Sequence, residues 1–196
     1  MQITPETEAA ARQAAALLRD GAIVAYPTEA VWGLGADPEN SDACRRLLQI
    51  KGRPAEKGMI LVASSMEQFE PLLAPLSTEQ RARLATGWGD QTNHGPLTFL
   101  VPDLQEQVPA WVKGAHTTVA LRVSDHFVVQ ALCDAFGGPV VSTSANRAGQ
   151  PPARSLAELE VALADHIDHI MPGPLGGASQ PSRIVDLLTG QEIRPG

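Results

Sequence analysis

Cysteine and aromatic residues are scarce in this sequence of 196 residues, and it has no long apolar run. The two cysteines, Cys44 and Cys133, lie far apart and form no CxxC pair, which indicates neither a zinc site nor a disulfide framework. We expect both to pack as small hydrophobes, as in a protein of the reducing cytoplasm. The first residues lack the features of a signal peptide, and no run approaches the roughly 20 apolar residues of a membrane span. We therefore expect a cytoplasmic location and no membrane partner.

Positive charge is also in deficit. Fifteen Lys and Arg stand against 22 Asp and Glu, which gives a formal net charge of −7. A protein whose whole surface coats nucleic acid is usually basic, so this balance argues against that class. A local basic cleft is still compatible with it, because ligand fields depend on where charges cluster. The basic residues must therefore be interpreted by position.

Several familiar motifs are missing. The sequence has no GxxxxGK[ST] phosphate loop and no GxSxG serine elbow. Gly33-Leu34-Gly35 follows a strand pattern, but Pro38 occupies the place of the third glycine of a dinucleotide fingerprint. His166 and His169 have no third metal ligand at a suitable spacing, so we favour an exposed helix end there. We expect no metal ligand among the side chains and no organic cofactor.

Helical and strand patterns alternate along most of the chain, beginning with a helix between Thr4 and Gly21. Further helices are expected near 41–51, 65–74, 77–86, 105–112, 126–136 and 155–164, and strands near 22–26, 59–63, 97–101, 117–123, 139–143, 167–171, 183–187 and 191–194. This order predicts an α/β fold with a mixed sheet, because it is not a strict βαβ repeat. No linker or repeat divides the chain, so we expect one domain over residues 1–196. Glycine and proline concentrate in loops at 27–38, 52–58, 87–96, 147–152 and 172–181, where binding groups are expected.

The segment Lys51-Gly52-Arg53-Pro54-Ala55-Glu56-Lys57 places three cations within seven residues, in a loop that leads into a buried strand. Cations at this density are suited to bind a polyphosphate. Two simpler explanations stay open. Lys51 alone could complement the dipole of the helix that it ends, and the loop could be a solvated surface turn.

Small polar side chains follow a second apolar strand, in Ser142-Thr143-Ser144-Ala145-Asn146. Ligands of α/β proteins commonly bind at the ends of strands, so this segment could orient a polar ligand, although an ordinary capped turn explains it equally well.

Two further strands present polar residues. Thr28 lies just past the first strand, in Pro27-Thr28-Glu29-Ala30-Val31, and we expect the nearby Trp32 to pack in the core. Arg122 lies inside the apolar run 117–123, so it must find a partner or line a cleft, and a ligand carboxylate would supply that partner. Arg183 and Arg194 could be plain surface cations.

In this order, these segments resemble the YrdC family of threonylcarbamoyl-AMP synthases of the bacterial TsaC type. The resemblance covers nearly the whole chain and is carried by Pro27-Thr28-Glu29-Ala30-Val31, Lys51-Gly52-Arg53-Pro54, Gly95-Pro96-Leu97-Thr98, Val119-Ala120-Leu121-Arg122, Ser142-Thr143-Ser144-Ala145-Asn146, Gly149-Gln150-Pro151-Pro152, Pro181-Ser182-Arg183-Ile184-Val185-Asp186 and Arg194-Pro195-Gly196. It implies a twisted mixed α/β domain around a concave, electropositive cleft. It also implies that ATP, L-threonine and bicarbonate condense to threonylcarbamoyladenylate with release of pyrophosphate.

The resemblance also implies roles for residues. Threonine would be contacted by Thr28, Arg122 and Ser144, with Arg122 on its carboxylate. The ATP side would be served by Lys51, Arg53, Lys57, Thr118, Ser142, Asn146, Ser182 and Arg194. Lys51 and Arg53 would also be catalytic by neutralising charge, so we expect their replacement by Ala to lower the rate far more than folding stability. Mg²⁺ is expected with ATP, and a tRNA threonylcarbamoyl-transfer complex, or tRNA itself, as a further partner.

Two departures and two alternatives accompany this hypothesis. The family often has Trp-Pro-Gly-Pro where this chain has the loop at 87–96, and the C-terminal domain of longer members is not in this sequence. A non-catalytic RNA-binding module with the same basic cleft is one alternative, although the acidic balance and the 4% aromatic content argue against it. A carbamoyl-transfer domain that acts on another amine is the other.

Overall fold

Nine strands form one sheet in the computed structural model of this chain, which describes residues 3–89 and 95–195. The strands are β1 (Val24–Pro27), β2 (Trp32–Ala36), β3 (Ile60–Ala63), β4 (Leu97–Pro102), β5 (Thr118–Val123), β6 (Val140–Ser144), β7 (His169–Ile170), β8 (Arg183–Asp186) and β9 (Glu192–Arg194). Their order in the sheet is β7-β1-β2-β6-β3-β5-β4-β8-β9. The pairs β1–β7, β3–β5 and β4–β8 are parallel and the other five are antiparallel, so the predicted mixed sheet is confirmed.

The helices flank the sheet, and the first two begin at side-chain caps. They are α1 (Pro5–Arg19), α2 (Ser41–Lys51), α3 (Glu70–Leu73), α4 (Thr78–Gly89), α5 (Ala110–Lys113), α6 (Phe127–Phe136) and α7 (Leu156–Leu163), with 3-10 turns at Ala55–Lys57, Met66–Phe69 and Ala164–His166. The Asn40 side chain accepts hydrogen bonds from the Asp42 and Ala43 amides, which fixes the start of α2. Gly52, with φ of +59°, ends that helix in the left-handed conformation that glycine adopts without strain. In the described part of the chain, no helix is both long and apolar enough to cross a membrane.

Successive side chains of each strand point to opposite faces of the sheet, which separates the interior into two clusters. On β1, Ala25 packs with the larger cluster, whereas Val24 and Tyr26 pack with the smaller one. The smaller cluster contains residues of α1 and α6, and the larger contains residues of α2, α4 and α7. Helices therefore cover both faces, and both cysteines are buried as the sequence predicts.

One face of the sheet is only partly covered, and this opening positions the site. On β6, Val140 packs under α1 and α6, while Ser142 and Ser144 follow on the same face at the period of two and line a cavity. On β5, Val119 and Leu121 are buried in the larger cluster, so the alternate residues, Arg122 among them, face that cavity. The floor of the cavity is therefore the exposed half of the face that α1 and α6 cover.

Two local predictions are wrong. The sequence indicated a loop over 27–38, but Trp32–Ala36 is the buried strand β2, and Trp32 packs in the core as expected. The predicted helix at 105–112 is confined to Ala110–Lys113, because the Asp103 carboxylate accepts hydrogen bonds from the Gln107 and Val108 amides in a competing local turn. Of the predicted loop at 87–96, residues 90–94, including His94, lie outside the described residues.

Candidate active site

A cavity of about 530 Å³ opens on the uncovered part of the sheet. Every residue that the sequence analysis assigned to a substrate lines it: Thr28, Lys51, Arg53, Lys57, Thr118, Arg122, Ser142, Ser144, Asn146, Ser182 and Arg194. These residues come from the ends of β1, α2 and β6, from β5 and β9, and from the loops between them. The fold thus brings together positions that are up to 166 residues apart, from Thr28 to Arg194.

The charge of the cavity is opposite in sign to that of the whole chain. Six of its lining residues are Lys or Arg, and none of those that the structure describes is Asp or Glu: the six are Lys51, Arg53, Lys57, Lys113, Arg122 and Arg194. The chain as a whole carries a net charge of −7. A cleft lined by one sign of charge concentrates ligands of the other sign, so this cavity attracts anions.

Lys51 is buried at the end of α2, with 4% of its surface exposed. Its ammonium donates hydrogen bonds to the backbone oxygens of Ser144 and Asn146 and lies 3.3 Å from Asn146 Oδ1. Burial, with a smaller effect from the nearby Arg53 charge, lowers the Lys51 pKa from 10.5 to about 8. The three donors of this ammonium thus hold the end of β6 and the loop after it in place. Lys51 also lines the cavity, and its contact with ATP stays a prediction.

Arg53 forms the next part of this side of the cavity and is half-buried there. Its guanidinium donates to the Gly58 carbonyl oxygen at 3.0 Å and to that of Lys57 at 3.1 Å, across the 3-10 turn. Burial lowers the Arg53 pKa. Lys57 itself is exposed on the turn.

The turn is locked to the segment after α5 by two glycines in close contact. A Cβ on Gly114 would lie 2.4 Å from the Glu56 carbonyl oxygen, and one on Gly58 would lie 2.6 Å from that of Lys113. This contact also brings Lys113 and His116 to the cavity edge, two lining residues that the sequence analysis missed. The Lys113 ammonium lies 2.7 Å from Asp103, ten residues earlier in the chain, and no motif signalled either residue.

Three hydroxyl groups at the cavity differ in where their protons are directed. The Thr28 hydroxyl donates to the Val31 carbonyl at 2.7 Å, and the Ser144 hydroxyl donates to Asn146 Oδ1 at 2.5 Å. Both oxygens are therefore presented to the cavity as acceptors. Ser142 Oγ instead accepts a hydrogen bond from the Tyr26 hydroxyl at 2.8 Å, so its own proton is available to a ligand.

Arg194 and Ser182 form the side of the cavity nearest β8 and β9. Arg194 Nη2 donates to the Ser182 backbone oxygen at 2.6 Å, and the buried Ser182 hydroxyl lies 2.8 Å from that of Thr98. Burial lowers the Arg194 pKa, and the charges of Arg122 and Arg53 lower it further. The guanidinium groups of Arg53, Arg122 and Arg194 therefore line one cavity. Ser182 contacts Thr98 and Arg194 and so helps to position the Arg194 guanidinium.

Arg122 has a partner within the protein and also lines the cavity, where its contact with a ligand carboxylate stays a prediction. Its guanidinium forms an ion pair with Glu29, whose other carboxylate oxygen accepts a hydrogen bond from Ser124 at 2.7 Å. Burial raises the Glu29 pKa, but the charge of Arg122 and the hydrogen bonds outweigh this, and the pKa lies below its ordinary value. Glu29 was quoted in a motif but assigned no role, because its partners are 93 and 95 residues away.

The polar groups around His166 contact arginine side chains. Asp168 pairs with Arg46, and Arg147 Nη2 lies 3.0 Å from His166 Nε2. In the described ranges, 3–89 and 95–195, no group of three His, Cys, Asp or Glu side chains could hold a metal ion.

The chain matches a known family and curated proteins along most of its length. The family model Sua5_yciO_yrdC, described as telomere recombination, matches residues 16–196. A threonylcarbamoyl-AMP synthase of Marinobacter nauticus is 52% identical over 174 residues, which cover 89% of this chain and 89% of that protein. A threonylcarbamoyl-AMP synthase of Pseudomonas aeruginosa strain PAO1 is 51% identical over 185 residues, covering 94% and 96%.

Solved structures show the same fold. A double variant of P. abyssi Sua5 is similar with a TM-score of 0.85 and 33% identity over 96% of this chain, and a P. abyssi Sua5 complexed with L-threonine gives 0.80 and 34% over 91%. The present chain spans 57% and 51% of those two chains.

Proposed function

This chain belongs to the Sua5/YciO/YrdC family, and we propose that it is a threonylcarbamoyl-AMP synthase, which condenses L-threonine, bicarbonate and ATP and releases pyrophosphate. The structural observation that carries the proposal is a cavity lined by six Lys and Arg side chains and, among the described residues, by no carboxylate. Such a cavity suits a substrate with several phosphate groups. The relatives of about 50% identity narrow the reaction to this one, so an RNA-binding module without catalysis is not favoured.

We assign the two substrates to different parts of the cavity. Arg122 would bind the threonine carboxylate, because a guanidinium offers carboxylates a planar pair of donors. The acceptor oxygens of Thr28 and Ser144 would take hydrogen bonds from the threonine amine and hydroxyl. Arg53, Lys57, Thr118 and Arg194 would face the phosphates, and Ser142 would donate its available proton to a phosphate oxygen.

The reaction then needs positioning and charge neutralisation rather than a covalent nucleophile. The threonine amine and bicarbonate form a carbamate with loss of water. A carbamate oxygen attacks the α-phosphorus of ATP, and the bond to the bridging oxygen breaks so that pyrophosphate leaves. The cationic side chains, Lys51 among them, neutralise the charge that accumulates on the leaving group. Lys51 and Asn146 also hold Ser144 at the end of β6 by hydrogen bonds.

Mg²⁺ is expected to accompany ATP. Magnesium in proteins usually takes at least one carboxylate ligand, and the described residues of the cavity lining offer none. These residues do not fit a protein-held magnesium ion, so the ion would reach the site bound to phosphate.

Pyrophosphate release from ATP tests the proposal directly. We expect release that requires both L-threonine and bicarbonate, and that falls when L-serine replaces L-threonine. Release that needs neither co-substrate would contradict the assignment, and equal rates with other amines would favour a carbamoyl-transfer domain of different specificity.

The product would be passed on to a complex that modifies the adenosine beside the anticodon of tRNA. A salt titration of tRNA binding addresses this step. Tight, steeply salt-dependent binding without adenylate synthesis would support the RNA-binding alternative instead.

A further inference from the structure

The six cations of the cavity differ in whether a carboxylate compensates them. Arg122 is paired with Glu29, and Lys113 is paired with Asp103. The other four, Lys51, Arg53, Lys57 and Arg194, have no carboxylate at salt-bridge distance within the described ranges, and the contacts of Lys51, Arg53 and Arg194 go to backbone and other neutral oxygens. We call these four the uncompensated cluster. The cavity is thus strongly positive at this cluster and close to neutral at Arg122.

Arg122 nevertheless lines the same cavity as the cluster, so both can act on one ligand. Its charge lowers the Arg194 pKa together with that of Arg53. Without Glu29, Arg122 would therefore be a further cation open to phosphate oxygens, because guanidinium groups bind phosphates and carboxylates with the same fork of donors.

Glu29 is held rigidly in the position from which it compensates Arg122. Its backbone oxygen accepts a hydrogen bond from the Ala178 amide at 2.7 Å, and Ser124, which is fully buried, holds its second carboxylate oxygen. A Cβ on Gly176 would lie 2.9 Å from the Glu29 Cα, so the loop at 172–181 packs directly on this residue. The carboxylate is buried and does not line the cavity.

Glu29 also limits how Arg122 can meet a ligand. Nη2 contacts Glu29, and Nε is buried without a hydrogen-bond partner among the described residues. The cavity-facing contact is therefore left to Nη1 and the second proton of Nη2. Two N–H groups are the donors that one carboxylate group needs.

We propose that Glu29 is a specificity-determining residue that keeps the Arg122 end of the cavity neutral, so that an amino acid zwitterion binds there and phosphate anions are directed to the uncompensated cluster. The proposal rests on the proposed function. A zwitterion carries no net charge and loses little when Arg122 is compensated, whereas a phosphate gains its affinity mainly from net positive charge.

Calorimetric titration of the native protein with L-threonine, in the presence and absence of inorganic phosphate, tests this directly. We expect phosphate to weaken ATP binding while leaving the threonine Kd unchanged within about 2-fold. Displacement of threonine at the phosphate concentration that displaces ATP would overturn the proposal. Absence of threonine binding to the native protein would instead contradict the proposed function.

Glu29→Gln is the decisive variant, because it removes the charge and keeps the shape and one acceptor oxygen. We expect inorganic phosphate to become a competitor of threonine, raising its apparent Kd by about 10-fold or more at a concentration without effect on the native protein. An unchanged competition pattern in a folded Glu29→Gln protein would refute the inference.

Two control variants test whether the charge of Glu29 matters, as opposed to its hydrogen bond or to the total charge of the cavity. Ser124→Ala removes the hydrogen bond to Glu29 but leaves its charge, so phosphate should not compete with threonine in this variant. Asp103→Asn frees Lys113 and changes the cavity charge by the same amount at another point of the lining. Competition that appears equally in Asp103→Asn would show that total charge, and not Glu29, decides where phosphate binds.

Discussion

The Lys51 ammonium lies 2.8 Å from the backbone oxygen of Asn146 and joins the end of α2 to the loop after β6. The same ammonium contacts the Ser144 backbone oxygen and Asn146 Oδ1, so one side chain holds both the last residue of β6 and the loop that follows it. The motif that first indicated phosphate binding therefore contains a residue whose hydrogen bonds are made within the protein.

Replacing Lys51 by Met should lower both stability and activity. The substitution keeps the aliphatic stem of the side chain and removes the ammonium, which donates to three acceptors. Hydrogen bonds to charged groups contribute roughly 1.5–3 kcal/mol each to stability, before the cost of burying the charge is subtracted. We expect a net loss of about 1–3 kcal/mol in the free energy of unfolding, measured in urea, together with a large fall in kcat/KM. Arg45→Met, at an exposed position of the same helix, is the control. A Lys51→Met protein with native stability and no activity would instead support a direct contact with ATP.

The Lys51 pKa predicts a pH dependence of stability with a definite sign. The folded-state pKa is about 8 and the ordinary value is 10.5, so between these values the unfolded chain binds more protons than the folded chain. The contribution of Lys51 to the free energy of unfolding therefore increases as pH rises from about 8 to 10.5, by at most roughly 1.4 kcal/mol per pH unit.

The buried thiols oppose this trend, because burial raises the Cys44 pKa to about 12. The measurement is therefore the difference in unfolding free energy between the native protein and Lys51→Met at each pH. A difference that stays flat between pH 8 and 10 would show that Lys51 keeps its proton in the fold.

Arg53→Ala should separate binding from stability. Arg53 is half-buried and, among the described residues, hydrogen-bonds to carbonyls of a surface turn, so its loss should cost less than about 1 kcal/mol of stability. Loss of a charged contact to phosphate should raise the KM for ATP by about 10-fold or more, with little change in the Kd for threonine. Arg45→Ala provides the matched control. Equal weakening of both substrates would mean that Arg53 acts by shaping the whole cavity.

Gly114→Ala should destabilise the cavity wall severely. The added Cβ would lie 2.4 Å from the Glu56 carbonyl oxygen at a backbone φ of +70°, so both a clash and backbone strain arise. We expect a loss of more than about 2 kcal/mol in unfolding free energy. Gly137→Ala has a similar φ of +85° with open space around it, and should cost only about 1 kcal/mol. Equal losses of stability in the two variants would show that the 3-10 turn and the segment after α5 can move apart at little cost in free energy.

Local patterns predicted the elements that have strong periodicity or caps, but not those that depend on distant residues. The ends of α1 and α2 follow from Thr4, Asn40 and Gly52, which are adjacent to the helices that they limit. Strand β2 was missed because Gly33 and Gly35 disfavour a strand locally. They are needed because the Tyr26 ring packs against them, with its carbon atoms 3.1 and 2.8 Å from where a Cβ would be.

The candidate site shows the same division. Most of the assigned lining residues could be predicted because they lie in or beside short motifs of the family resemblance, whereas Lys113 and His116, which no motif signals, were missed. The Glu29–Arg122 pair could not, since neither neighbouring sequence signals a partner 93 residues away. The hydrogen bonds of Lys51 within the protein could not be predicted for the same reason, because its acceptors include backbone oxygens that no sequence pattern displays.

The strand order has a consequence for how this protein is made. β6 is inserted between β2 and β3, and β9, which carries Arg194, joins the far edge of the sheet. A chain growing on the ribosome cannot complete the cavity until both have emerged, because long-range pairing must precede the assembly of the site. Synthesis interrupted before residue 194 would therefore leave a chain that lacks Arg194 and, with it, one of the four cations of the uncompensated cluster.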